Sequence, residues 1–465
     1  MSDFIVPEFD ITKEHLDTFL KFMKDNEEHE MYISGPGGCG KTTLLVHYIL
    51  RLVENDIPFL LGAYTHAACK ILREKVYKDT YCTEAVTNIR TVHSFLKKMP
   101  GVNQNTLDIR KVAVTNRQGK PDAPKVLLFD EYSMIGEEDY MDIGELCTDE
   151  DGNILVKTIY IGDEMQLPPV KSARTIYPRG KYQIELTVNH RAGSSCLVEV
   201  LDTLRKMKES GKVSRLPDCD VVRRKADLVK EYETYKEDYM SNKILCYTNA
   251  NVDHMNFCVA GRAELLNKDA IFVDTHKLHT YFMPLDKFDL LGDQDIAIQT
   301  NSSTVLTHKT DTYKTIPYLL DNFDMMEIAV PGKGTYVKAY VFGNVAYMNM
   351  DKQLQAEAVN SNLAVAEHFN CGKEEIKQVK ANNYNHPAVA HSRQVWRLYL
   401  TFKNNVTMVS RPYASTVHKA QGITLDRVFI SNTDLLRLYA RDKDEYLSLF
   451  YTALSRAKKE AFIDN

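Results

Sequence analysis

Eight consecutive residues, Gly35-Pro36-Gly37-Gly38-Cys39-Gly40-Lys41-Thr42, have the types and spacing to grip a chain of phosphates. They fit the pattern G-x-x-x-x-G-K-[ST] without a mismatch. Glycines let backbone N–H groups turn inward as an anion nest, and a helix opening at the end of the loop adds its dipole. Lys41 would reach the β- and γ-phosphates of a nucleoside triphosphate, and the Thr42 hydroxyl would bind Mg²⁺. Gly35, Gly37, Gly38, Gly40, Lys41, Thr42 and Thr43 are therefore the candidate nucleotide-binding residues. Further along, Asp130-Glu131 follows an apolar run. Asp130 would hold the hydration shell of the same Mg²⁺, and Glu131 would orient and deprotonate an attacking water. An Asp-Glu pair after a strand is usually a solvated loop; beside a complete phosphate loop it is the second half of a hydrolytic site.

These groups need elements to hold them. Met31-Tyr32-Ile33 reads as a strand entering the loop, and Thr43-Leu44-Leu45-Val46-His47-Tyr48-Ile49-Leu50 as the helix leaving it. Further apolar runs at 59–63, 126–129, 154–161 and 243–247 end in polar residues. Near-continuous apolar strands separated by helical stretches read as a buried parallel sheet, whose ligands bind beyond the carboxyl ends of the strands. Residues 100–125 read as a β-hairpin insert, with a turn at Arg117-Gln118-Gly119-Lys120. A longer excursion, about 271 to 409, carries β-like pieces at 303–306 and 338–342 and a helix-like piece at 351–369.

Composition narrows the class. At 465 residues the chain is too long for one core. Its 44% apolar and 26% charged residues are ordinary for a globular protein. No apolar run approaches the roughly 20 residues of a membrane span, so no membrane partner is expected. The first residues lack the basic end and apolar core of a secretory leader. The nine cysteines show no C-x-x-C spacing, which argues for a reducing, cytoplasmic setting and against a disulfide framework or a structural zinc site. A net charge of −5 neither supports nor excludes nucleic acid, since a binding channel needs only local positive charge.

Several further segments carry a resemblance. They are Gly62-Ala63-Tyr64-Thr65-His66-Ala67-Ala68, Thr91-Val92-His93-Ser94, Asp130-Glu131-Tyr132-Ser133 and Gly162-Asp163-Glu164-Met165-Gln166-Leu167-Pro168-Pro169-Val170. Then come Glu185-Leu186-Thr187-Val188-Asn189-His190-Arg191, Tyr247-Thr248-Asn249, 414–426 with its Thr416-Val417-His418-Lys419 core, and Tyr451-Thr452-Ala453-Leu454-Ser455-Arg456-Ala457. In this order they resemble the superfamily 1 helicases, and within them the Dda-type helicases of tailed phages, relatives of RecD. Residues of about 270 to 400 match only loosely.

The resemblance implies an α/β fold: two RecA-like parallel-sheet domains with a β-hairpin insert and a small β-barrel and helical-arm insert. It places the first domain at 1–175 with the hairpin at about 97–125, the second at 176–270 and 400–465, and the barrel and arm at 271–399. It implies ATP and Mg²⁺ in a cleft, with Lys41, Asp130, Glu131, Gln166, Arg191 and Arg456 as the hydrolytic set. Arg191 and Arg456 match arginine fingers, and Gln166 matches the residue that touches the γ-phosphate. Thr65, His66, Thr91, His93, Thr248, Asn249, Thr416, His418 and Lys419 match contacts to a single strand. Hydroxyls and imidazoles suit phosphates, which position a strand without reading its sequence; taken singly, each Thr or His would more often be a cap or a core residue. The family's adenine-reading glutamine corresponds here to His15, which in its neutral form offers only one suitable bond. Residues 100–125 contain no aromatic, so Leu107 and Ile109 are the bulky candidates for a strand-splitting wedge, with Pro100 matching a hairpin-seating proline.

The expected function is 5′-to-3′ movement on single-stranded DNA and unwinding of forked duplex, driven by ATP, in a cytoplasm (a host's, if the source is a phage). The expected state is a monomer, with replication or single-strand-binding proteins as candidate partners. An RNA helicase shares the architecture, and an ATP-driven remodeller that displaces proteins without unwinding shares the hydrolytic set. A metabolic kinase would not need the motifs at 185–191 and 414–456.

Overall fold

The computed structural model describes residues 13–64, 66–96, 98–102, 109–113, 124–149, 151–169, 176, 178, 180–190, 195–265, 272–274, 277–282, 284–285, 297–299, 304–306, 324–330, 334–372 and 375–464. By contact the chain divides into two compact units, one made of Met1–Met99, Lys111–Leu228 and Ala420–Asn465, the other of Pro100–Arg110 and Val229–Lys419.

The first unit is built on a six-stranded parallel sheet. Its strands are β1 (Glu30–Ser34), β2 (Phe59–Ala63), β3 (Ile89–Thr91), β6 (Val126–Asp130), β7 (Lys157–Gly162) and β8 (Tyr182–Glu185). The order is β3-β2-β6-β7-β1-β8, every pair parallel. Strand residues alternate between two cores, as a period of two requires. Met31, Ile33, Leu128, Ile159 and Ile161 pack on one face, and Tyr32, Leu127, Phe129 and Tyr160 on the other. Because both faces are covered, the strands read as continuous apolar runs rather than as alternating ones.

Helices α1 (Lys13–Lys24), α2 (Lys41–Glu54), α3 (His66–Thr80), α4 (Thr83–Thr87), α5 (Val92–Phe95), α6 (Glu137–Cys147) and α7 (Ser195–Ser210) follow in chain order. The strand expected at 154–161 starts later, at Lys157. Ile154 and Leu155 are 46% and 65% exposed, and Ile154 bridges to Thr148 in a short hairpin. The expected hairpin insert is present as β4 (Lys98–Val102) and β5 (Ile109–Ala113), which pair as a two-stranded sheet. Leu107 lies outside the described residues, as does the side chain of Ile109. A second parallel set within this unit joins β9 (Val222–Lys225) to the strand Ala457–Asp464, which pairs with Leu425–Ile430.

One expectation is overturned. Cys196 and Cys219 form a disulfide, with Cα atoms 5.4 Å apart and the two residues 23 positions apart in sequence. The pair opens α7 at one end and lies in the loop before β9 at the other; no short-range spacing marks it.

The second unit holds a parallel pair, Asn242–Cys246 with Ala414–Thr416, and an eight-stranded mixed sheet from Phe272–Asp274 to Val406–Ser410. The expected arm helix is longer than 351–369, running Asn344–Phe369, and it packs on a second helix, Pro387–Asn405. That second helix begins with His386 as N-cap and Pro387 at its first position, the site where a missing N–H costs nothing. Among the described residues no helix is long and apolar enough to cross a membrane.

Lys243, in the strand Asn242–Cys246, is 2% exposed and donates to the carbonyl of Pro412. Burial pushes its ammonium down to about 7. The unfolded chain holds that proton up to a pH of about 10.4, so Lys243 opposes folding fully below pH 7, and its penalty fades as pH rises. Lys243→Met is expected to melt higher than the parent at pH 7, and the gap should narrow by pH 10. Paired thermal melts across that range check it; a gap independent of pH would show that the buried charge is not the cause.

Candidate nucleotide site and nucleic-acid contacts

The site is assembled where β1, β6 and β7 end. β1 runs into the phosphate loop, whose turn closes with Cys39 N–H on Pro36 O at 3.3 Å. Gly40 sits at φ 89°, in the left-handed region where glycine pays no steric cost, and accepts from Thr43 and Leu44 N–H at 2.9 and 3.0 Å. A side chain at Gly35 would place its Cβ 2.3 Å from Leu186 O, so that position tolerates only hydrogen. The amides of Lys41 and Thr42 open α2 and have no intrahelical acceptor, which leaves them for an anion. α2 is held by its buried face, Leu44, Leu45, Tyr48, Ile49 and Leu52.

A cavity of about 240 Å³ lies against this loop. Its lining includes Gly37, Gly38, Gly40, Lys41, Thr42, Thr43, Asp130, Glu131, Gln166 and Arg456. All ten were singled out from sequence, and all belong to the first unit. Lys41 donates to Gly35 O at 2.7 Å and Pro36 O at 2.9 Å, so its ammonium folds onto the loop's own carbonyls. Asp130 lies beside Glu131. Burial, then the Glu131 charge, push the Asp130 carboxyl well above the carboxylate range, with Lys41 and Lys75 pulling the other way. Two crowded carboxylates of this kind suit a hard divalent cation, which would reverse that shift.

Glu131 stands at φ 60°, ψ 57°, a left-handed conformation unusual for a side chain with a Cβ. Its Oε2 is buried with no hydrogen-bond partner. A strained residue with an unsatisfied carboxylate oxygen aimed into a polar cavity fits a group that acts on a bound water. Thr42 with Asp130 offers the oxygen donors Mg²⁺ prefers, and Mg²⁺ bound there would neutralise phosphate charge.

Gln166 Oε1 accepts from Arg456 Nη2 at 3.3 Å and from Gln421 Nε2 at 3.4 Å. Arg456 is 1% exposed and is held by Thr452 O and Ser455 Oγ. Arg191 lies outside the described residues, but its neighbours dock on the phosphate loop: His190 N–H donates to Gly38 O at 2.9 Å and Asn189 Nδ2 to Gly37 O at 3.0 Å. His15 does not line the cavity. Its carbonyl accepts from Tyr48 OH at 3.0 Å, and its Nδ1 is buried without a partner.

The strand-contact candidates fall into two groups, one in each unit. In the first, Thr91 caps α5, accepting from Ser94 N–H at 3.3 Å. His93 packs edge-on against Tyr64 with ring centroids 5.7 Å apart, and Tyr64 OH donates to Asp139 at 2.6 Å. Thr65 and the side chain of His66 lie outside the described residues. In the second unit, Thr248, Asn249, Thr416, His418 and Lys419 gather at the carboxyl ends of the parallel pair Asn242–Cys246 and Ala414–Thr416. Val417 N–H donates to Cys246 O, and the His418 ring lies 6.5 Å from that of Tyr247. Burial lowers the His418 pKa, so its imidazole is a neutral hydrogen-bonding group rather than a fixed cation. Thr248 and Thr416 each cap a local turn, through Asn251 N–H and Lys419 N–H. Lys419 Nζ donates to Asn344 Oδ1 at 3.0 Å, and Asn344 is itself held by Asp253 at the start of the arm helix.

Sequence reading missed Lys75. Its Nζ donates to Thr43 Oγ1 at 2.9 Å, and it lines the cavity with Ala68, Ile71 and Leu72. The signal was available: a basic residue continuing an apolar i, i+3, i+4, i+7 stripe on α3.

An AAA domain model matches residues 22–172, and a UvrD-like helicase C-terminal domain model matches residues 412–463. The chain is 25% identical to the ATP-dependent DNA helicase dda of Enterobacteria phage T4, an alignment that covers 97% of this chain and 99% of that protein. It is 21% identical to an uncharacterized protein of Acanthamoeba polyphaga mimivirus, over 96% of this chain and 98% of the other. Among solved structures, a Bacteroides Pif1 bound to single-stranded DNA aligns over 98% of this chain and 92% of its own, with 13% identity and a TM-score of 0.46. The two domain models and the end-to-end alignment follow the same order as the motifs and support a superfamily 1 helicase of the Dda type.

Proposed function

We propose that this chain is an ATP-driven DNA helicase that moves 5′ to 3′ on single-stranded DNA and parts forked duplex. The observation that carries the reading is one cavity lined together by Lys41, Asp130, Glu131, Gln166 and Arg456, residues drawn from four separate stretches of sequence. Lys41 leaves the loop carbonyls to meet the β- and γ-phosphates. Thr42 and Asp130 hold Mg²⁺. Glu131 takes the proton of the attacking water, and Arg456, with Arg191, meets the charge that builds on the γ-phosphate. Gln166 touches both the phosphate and Arg456, so the state of the nucleotide is felt at the second cation. His15 is the adenine-side residue.

In this reading the chain is organised as domains at 1–175, 176–270 with 400–465, and an insert at 271–399. Thr65, His66, Thr91 and His93 hold the strand from the first domain; Thr248, Asn249, Thr416, His418 and Lys419 hold it from the second. Leu107 or Ile109 is the wedge. The enzyme works as a monomer in the cytoplasm of a host cell, with single-strand-binding or replication proteins nearby. The direction of movement is taken from the family likeness alone.

Duplexes carrying a single-stranded tail on one end test the reading. Unwinding of 5′-tailed and not of 3′-tailed duplex is the expected result. Unwinding from the 3′ tail would reverse the direction, and ATP turnover with no unwinding of either would leave a translocase that displaces proteins.

A further inference from the structure

Arg205 lies on α7, fourteen residues past Arg191, and is not among the residues that line the nucleotide cavity. Its Nη2 donates to Asp163 Oδ1 at 3.0 Å and lies 3.3 Å from Tyr451 OH. Tyr451 OH in turn donates to Asp163 Oδ2 at 2.9 Å. Asp163 and Tyr451 are each 1% exposed and the Arg205 side chain is 22% exposed, so the three side chains form a closed triangle with two buried corners. Two of its corners lead to the nucleotide cavity. Asp163 Oδ1 also accepts from Met165 N–H at 3.0 Å, and Gln166 N–H bonds Asp163 O at 3.1 Å, so the carboxylate shapes the turn that presents Gln166. Tyr451 lies in the last turn of the helix Lys443–Leu454, where its carbonyl accepts from Ser455 N–H at 2.9 Å, directly before Arg456. Gln166 and Arg456 then meet at 3.3 Å, which closes the ring. One turn along, Lys208 Nζ bonds Ser448 Oγ at 2.5 Å and fixes the register of the two helices.

We propose that Arg205 is a positioning residue for hydrolysis: by gripping Asp163 and Tyr451 together it holds Gln166 and Arg456 in the mutual alignment that the γ-phosphate needs. The inference rests on the ATPase reading above. A buried carboxylate must be paired, and the planar guanidinium holds the two N–H groups of Nη2 in fixed directions, within reach of Asp163 and of Tyr451. An arginine finger misplaced by about 1 Å loses most of its effect, because it acts only where charge develops. The triangle thus links the segment that senses the phosphate to the segment that carries the second cation.

Removing Arg205 strands the Asp163 charge, so the gentler variants Arg205→Lys and Tyr451→Phe accompany Arg205→Met. ATP turnover, KM for ATP and melting temperature are measured for each, with the parent and Arg456→Ala as references. Arg205→Met is expected to lower kcat about 10- to 100-fold with KM within about twofold, and Arg205→Lys to recover part of the loss. In combination with Arg456→Ala it should add little, because residues acting through one group are not additive. Should Arg205→Met fail to fold, Tyr451→Phe decides, with an expected severalfold loss in kcat at unchanged KM. Full kcat in the folded variants, or a loss that multiplies fully with that of Arg456→Ala, would assign the triangle to stability alone and overturn the proposal. A parent without ATPase activity would instead sink the underlying reading.

Discussion

Arg456→Ala is expected to slow single-turnover ATP hydrolysis by about 10³–10⁵ while leaving nucleotide affinity nearly intact. The guanidinium is buried, lines the cavity and lies against Gln166 at 3.3 Å. Burial lowers its pKa and the Glu131 charge raises it again; arginine stays charged in either case. A permanent cation in a dry site acts most strongly when charge gathers on the transferring phosphoryl group, and less in the ground state. That is why rate should fall more than affinity. The side chain also packs against its own helix end, through Thr452 O and Ser455 Oγ, so truncation will cost some stability. Melting temperature must be read alongside. A folded variant with unchanged single-turnover rate would reduce Arg456 to a packing residue and leave Arg191 as the only finger.

Glu131→Gln should bind ATP and fail to turn it over, with a loss of about 10²–10⁴ from the missing general base. The amide keeps the shape of the side chain but cannot take a proton. The left-handed backbone at this position is set by the sharp exit from β6, where a Cβ on Gly162 would fall 3.0 Å from Tyr132 N, so the turn itself does not depend on the carboxylate. Removing the like charge beside Asp130 relieves the repulsion that raises its pKa. The variant should therefore melt no lower than the parent. Near-normal turnover would remove Glu131 from the hydrolytic set; loss of turnover with a large drop in melting temperature would point to a damaged fold.

How much of this could be read beforehand depends on distance along the chain. The phosphate loop, β1, β2 and β6 announce themselves because a parallel sheet buried on both faces forces local apolar runs, and because phosphate binding forces local glycines. Asp130 and Glu131 are legible by position, at the end of such a run. The same logic misleads at 154–156: Ile154 and Leu155 extend the apolar run, yet they are exposed in a hairpin before β7 begins. The helix Pro387–Asn405 was not singled out, although His386-Pro387 is a recognisable start signal. The Arg205–Asp163–Tyr451 triangle joins residues 42 and 246 positions apart, and the Cys196–Cys219 disulfide spans 23. No periodicity encodes such contacts; only the folded chain brings them together. Thr91, Thr248 and Thr416 show the opposite case, in which residues matched to strand contacts also serve as caps.

ATP turnover by the parent chain with single-stranded DNA, with single-stranded RNA and with no polymer tests the central claim most directly. The account predicts slow turnover alone, a many-fold rise with DNA, and loss of both in Lys41→Ala. Turnover indifferent to DNA, or raised by RNA and not by DNA, would contradict it.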